Sequence, residues 1–164
     1  MRGIGFAAVA LLLAGCGASH DARGTIRRAE AGLGRLDGGT IEVRATVHAL
    51  IPVERSARLR TDDLPLSKLD LTHWTKRPRR LDCARGLECA RADVDIQAAL
   101  RDLDPLLPSL RVDADSIRSA RVDVAVARDG RPRWLRLHGE LHPGELMPGS
   151  VPFDVDLEVE RPSA

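Results

Sequence analysis

From Asp21 onward the apolar residues recur at helical spacing. Ala22, Ile26, Ala29, Leu33 and Leu36 fall on one face, with Arg23, Arg27, Arg28 and Glu30 mostly elsewhere. Asp37-Gly38-Gly39 predicts the end of this helix, because glycine supplies the backbone conformations a helix C-terminus needs. The period then drops to two. Between Thr40 and Leu50, the residues Ile41, Val43, Ala45, Val47 and Ala49 alternate with Thr40, Glu42, Arg44, Thr46 and His48, which predicts a half-buried strand ended by Pro52. The pattern from Val53 to Arg80 is less regular and predicts two or three short strands, around Arg55–Arg60, Lys68–Lys76 and Arg79–Cys83. Helical spacing returns from Ala92 to Pro108. There Asp93 or Asp95 can cap the start, Ile96, Ala99, Leu100, Leu103 and Leu107 line one face, and Pro105 and Pro108 end it. Ser109–Ser116 reads as a loop with room for a helical turn.

The strongest local signal follows that loop. Ser119–Arg128 and Arg131–Leu141 flank Asp129-Gly130, a two-residue hairpin turn. With that turn Val124 faces Leu135 and Val122 faces Leu137, while Asp123 faces Arg136 on the other side. A single register thus joins aliphatics on one face and opposite charges on the other. A last strand, Val151–Glu160, sets Val151, Phe153, Val155, Leu157 and Val159 against Asp154, Asp156, Glu158 and Glu160. One wet and one covered face is the antiparallel habit. The expected fold is α+β: a single curved antiparallel sheet, a half-barrel, with the N-terminal helix and the mid-chain helix packed on its apolar face.

The N-terminus has a separate logic. Arg2 precedes an uncharged apolar run, Ile4–Ala14, which is shorter than the about 20 residues a membrane span needs but suits an export signal. It ends in Leu13-Ala14-Gly15-Cys16, which resembles the bacterial lipobox. The small residues fit a peptidase site, and the Cys16 thiol would accept a diacylglyceryl group. An ordinary secretory signal, with a cysteine there by chance, is the blander reading. The lipobox reading divides the chain into a signal peptide (1–15), a lipidated tether (16–22) and one domain (23–162), anchored on the extracytoplasmic side of a membrane in the cell envelope.

Composition removes several functions. Once Arg2 leaves with the signal, the 24 acidic residues are matched by as many basic ones, a balance that gives nucleic acid no general attraction. Aromatics after the signal are Trp74, Trp134 and Phe153, too few for stacking platforms. Cys83 and Cys89 form an even pair in an exported chain, which reads as a disulfide worth roughly 2 kcal/mol on the chain-entropy estimate. The histidines, His20, His48, His73, His138 and His142, are scattered and read as solvated. His138 and His142 lie on a strand and its exit, so they would not converge on a metal. No nucleophile elbow, zinc-protease helix or phosphate-cradling glycine loop is present, and no catalytic residue, metal site or cofactor is expected. The one dense basic run, Lys76, Arg77, Arg79 and Arg80 around Pro78, reads as a solvated loop. Its functional alternative is contact with anionic lipid headgroups, at about 1 kcal/mol per basic residue.

The lipobox, the helix-to-strand passage Ala29–Ala49, the stretch Asp93–Pro108 and the end Val122–Pro162 together resemble the LolA-like carriers and the mycobacterial LppX/LprG lipoproteins. Within that end, Asp129-Gly130-Arg131-Pro132 and Val155–Pro162 resemble the family's hairpin and its last strand closing on a proline. The chain is shorter than those proteins. The resemblance implies that acyl chains lie between the sheet's concave face and the helices. Ile41, Val43 and Val47 of the first strand, Leu100 and Leu103 of the mid-chain helix, Val122, Val124, Leu135 and Leu137 of the hairpin, and Val155 and Leu157 of the last strand would form the walls. The alternative is an anchored structural or interaction module in which the same residues simply fill a core.

Overall fold

In a computed structural model the structure describes residues 21–103, 114–142 and 149–160. Helix α1 spans Ala22–Leu33, with the Asp21 carboxylate accepting from the Gly24 amide at its N-terminus. Ile26, Ala29 and Leu33 are buried, as the spacing requires. Seven strands follow: β1 Thr40–Val47, β2 Val53–Arg60, β3 Thr75–Leu81, β4 Leu87–Val94, β5 Ile117–Ala127, β6 Pro132–Leu141 and β7 Val151–Val159. They make one curved, open antiparallel sheet in the order β2-β1-β7-β6-β5-β4-β3. The last strand is therefore inserted between the first and the sixth. Its partners follow from its pattern: Val159, Leu157, Val155 and Phe153 lie opposite Ile41, Val43, Ala45 and Val47 on one side. On the other, Leu157 and Val155 lie opposite Leu135 and Leu137. The hairpin of β5 and β6 has the register its charges dictate in its body, with Val124 opposite Leu135, Val122 opposite Leu137 and Asp123 opposite Arg136. Its turn is longer than the expected Asp129-Gly130: the register shifts after Ala125, Val126 lies opposite Pro132, and Arg128 to Arg131 connect the strands. Gly130 takes the left-handed conformation (φ 82°) that its turn requires.

Two sequence expectations are corrected. The stretch Lys68–Lys76 is not a strand. Asp70 caps a short helix, α2 Leu71–Trp74, by accepting from the His73 amide, and β3 begins only after it. Leu66, Leu69, Leu71 and Trp74 are buried at spacings that suit turns of helix rather than a pleat. The mid-chain helix does not start at Ala92. Ala90, Ala92 and Val94 alternate with Arg91 and Asp93 as the end of β4, and Ala90 and Ala92 lie opposite Val124 and Val122. Helix α3 spans Ile96–Leu103, with Asp95 accepting from the Ala98 amide. Leu107 and the terminating prolines Pro105 and Pro108 lie outside the described residues.

Contacts between elements are close where glycine permits. Gly32 of α1 packs on the turn between β5 and β6: a Cβ there would sit 2.6 Å from the Gly130 carbonyl oxygen and 2.6 Å from Cδ of Pro132. The Glu30 carboxylate accepts from the amide and hydroxyl of Thr72, tying α1 to α2, and Asp102 of α3 accepts from the Asp70 amide. Cys83 and Cys89 are disulfide-bonded across the β3–β4 turn.

Candidate functional site

The strand residues expected to wall a cavity share one face of the sheet. Val43, Leu157, Leu135 and Val124 form one cross-strand row, and Val155, Leu137 and Val122 form the next. Ile41 and Val47 continue the same face of β1, and Leu100 packs at its margin. Leu103 ends α3, and its side chain lies outside what the structure describes.

Burial along this face is uneven. Ala90, Ala92, Val122, Val124 and Val126 on β4 and β5 are fully buried, in one cluster with Ile26, Ala29 and Leu33 of α1. Toward β6, β7 and β1 the cover is mixed: Ile41, Val43, Leu135, Phe153 and Val155 are buried, while Leu137, Leu141, Leu157, Val159, Ala45 and Val47 are only partly buried. On β2 Leu59 is partly buried and Ala57 is exposed. The face therefore passes from closed core on β4 and β5 to a partly open apolar strip in which buried and partly buried residues alternate. Trp74 belongs to the closed part at 1% exposure, and its indole N–H has no acceptor among the described residues. A buried donor without a partner costs about 1–3 kcal/mol and calls for an explanation, such as a polar group that enters from outside.

The opposite face is a lattice of charges. Arg44, Asp156, Arg136, Asp123, Arg91 and Arg79 occupy one cross-strand row. Within it Arg136 pairs with Asp156 at 3.1 Å, and Arg91 binds both oxygens of Asp123 at 2.6 Å. On the last strand Asp156 is thus paired with a cation across the sheet rather than simply solvated. His48 and His138 are also not merely solvated, because both bind Asp154, at 2.7 and 2.5 Å. These contacts join β1 and β6 through β7, a neighbourhood visible only once the strand order is known. Among the described residues no group of three or more His, Cys, Asp or Glu side chains is placed to hold a metal. The Trp134 ring, in a shallow depression flanked by Glu42 and Glu158, is covered by the Arg136 guanidinium 4.5 Å from its centroid.

Burial alone would push the Asp154 carboxyl up, but hydrogen bonds from His138 and His48 outweigh it and hold it below its ordinary value. A depressed carboxylate stabilises the fold above the unfolded-state value, near pH 4, and that contribution is lost as pH falls through the folded value. We therefore expect wild type to lose more stability than Asp154→Asn between about pH 7 and about pH 3, because the contribution of the depressed carboxylate declines once pH falls below the unfolded-state value. Chemical denaturation at the two pH values checks this, and equal losses would show that the histidine pair contributes nothing.

The basic run is not the loop expected from sequence: it lies on the edge strand β3, where Lys76 to Arg80 continue the sheet. Lys76 pairs with Asp95 and Arg77 with Asp93, each at 2.8 Å, which leaves Arg79 and Arg80 without ion pairs among the described residues. Among the described residues no helix is long and apolar enough to cross a membrane. No family model and no curated protein sequence matches the chain.

Proposed function

We propose that this chain is an extracytoplasmic lipoprotein, tethered to a membrane through Cys16, that holds a lipid or acylated ligand against the apolar face of a half-barrel whose helices cover the β4–β5 side. The observation that supports this is the change in cover along that face, from fully buried valines on β5 to partly covered Leu137, Leu157, Val159, Ala45 and Val47, which alternate with buried neighbours on β6, β7 and β1. An acyl chain needs a continuous apolar strip and no specific partner, and the strip supplies that. The full burial of Ile41, Val122 and Val124 favours the second reading, a filled core in an anchored interaction module.

One experiment separates the two. Intact-mass spectrometry of the protein purified from membranes, under native and then denaturing conditions, reads bound ligand and Cys16 acylation together. The carrier reading expects a lipid-sized mass that is lost on denaturation, and less of it in Leu137→Trp, where the new ring takes up strip space. Val124→Trp should instead impair folding, since its site is already full. Wild type that carries no ligand, with Leu137→Trp unfolding like Val124→Trp, would leave the filled-core module standing.

A further inference from the structure

The hairpin of β1 and β2 ends in His48-Ala49-Leu50-Ile51-Pro52, and the last strand pair before it is Val47 with Val53. Leu50 is 96% exposed, Ile51 80% and Val53 50%, and these are the exposed large aliphatics among the described residues. A hairpin tip ordinarily carries Gly, Pro, Asn, Asp or Ser, which suit the turn. Here Pro52 alone is of that kind, and two adjacent aliphatic side chains stand in solvent. The base of the tip is held. The His48 amide donates to the Pro152 carbonyl at 2.8 Å, and its ring binds Asp154. The tip therefore projects from a fixed base.

We propose that this tip inserts into the headgroup–acyl boundary of a phospholipid bilayer, and so sets the partly open end of the apolar strip against the membrane. Three observations favour a bilayer. The feature is a narrow projection rather than a groove or a flat patch, whereas a stable protein interface needs about 800 Å2 on each partner. A fluid bilayer takes in a few side chains without a shaped socket. The charge behind the tip is also right. Arg55, two residues beyond Val53, is exposed and has no ion pair among the described residues, and the neighbouring Glu54 carboxylate lies 3.4 Å from Arg44, a guanidinium it shares with Glu42. Aliphatic side chains ahead of an unpaired arginine place apolar groups at acyl depth and a cation at phosphate depth. Finally, Val47 lies opposite both Val53 and Phe153, so the partly buried strip runs without a break into the tip. The basic run on β3 belongs to a different surface, because β2 and β3 are opposite edges of the sheet.

This contact goes beyond the Cys16 anchor and does not require it. The test uses Ile51→Trp in the membrane-purified protein, reconstituted into phosphatidylcholine vesicles containing phosphatidylglycerol, with or without brominated acyl chains. Ser56→Trp, an exposed site farther along β2, serves as the reference. The expected result is a blue-shifted emission from Ile51→Trp that brominated chains quench, after subtraction of the signal from Trp74 and Trp134, with no quenching in Ser56→Trp. Protein that floats with the vesicles while Ile51→Trp stays unquenched overturns the tip proposal and spares the anchor. If the protein does not float, the anchor reading falls, and the same vesicles are added to the dissolved Ile51→Trp protein. Quenching there upholds the tip, and its absence overturns it.

Discussion

Asp123→Ala should destabilise the protein by about 1–3 kcal/mol, less than for a fully buried ion pair because the Arg91 side chain keeps 27% of its exposure. Asp123 is 4% exposed in the middle of β5 and receives two hydrogen bonds from Arg91, with the His138 ring 3.7 Å away. Its removal strands the Arg91 guanidinium on a strand flanked by neighbours, beside Arg79 across the β3–β4 ladder. Replacing both partners together, Asp123→Leu with Arg91→Met, should recover much of the loss, because the cost lies in the orphaned charge rather than in the missing attraction. Urea denaturation of the two single variants and the double variant checks this. An Asp123→Ala midpoint equal to that of wild type would mean that water reaches Arg91 freely.

Gly32→Val should be comparably damaging. In an exposed helix, replacing glycine usually helps by up to about 1 kcal/mol. At Gly32 the added Cβ would sit 2.6 Å from a backbone oxygen and a proline ring carbon, neither of which can swing away. Either α1 lifts off the β5–β6 turn or the turn distorts, and overpacking of that kind costs about 1–3 kcal/mol, occasionally more. Gly34→Ala is the matched control, since its Cβ would find only ordinary contacts at 3.6 Å and beyond. Thermal unfolding should lower the midpoint for Gly32→Val and leave Gly34→Ala near wild type.

These two sites also show where sequence was informative. The hairpin register that places Asp123 opposite Arg136 was legible, because aliphatic and charged positions agree on one alignment. So was α1, whose apolar spacing survives any choice of partner. The boundary of α3 was misread at Ala92. Alanine favours helices, yet it is also the small residue a strand needs where a helix packs close, and Ala90 and Ala92 are fully buried on β4. The segment Leu66–Trp74 was missed because its turns of helix are only three or four residues long, too short for a helical period to stand out from the sequence. Contacts that depend on strand order, Asp154 with His48 and His138 above all, could not be found from local pattern. The Leu50-Ile51-Pro52 run did carry a signal: consecutive aliphatics at the end of an alternating strand break the period of two just where the chain leaves the sheet.

The position of β7 has a consequence for how the molecule comes into being. The β1–β2 hairpin meets the rest of the sheet only through the last strand, in pairings such as Ile41 with Val159 that span most of the described chain. Closing so long a loop is slow, and nothing rewards it until both ends are present. During synthesis from the N-terminus, β1 and β2 must wait as an isolated two-stranded ribbon, itself marginal in water, until β7 emerges and joins the two parts of the sheet. The fold is therefore completed by its final strand, and until that strand emerges the β1–β2 ribbon has no partner in the rest of the sheet.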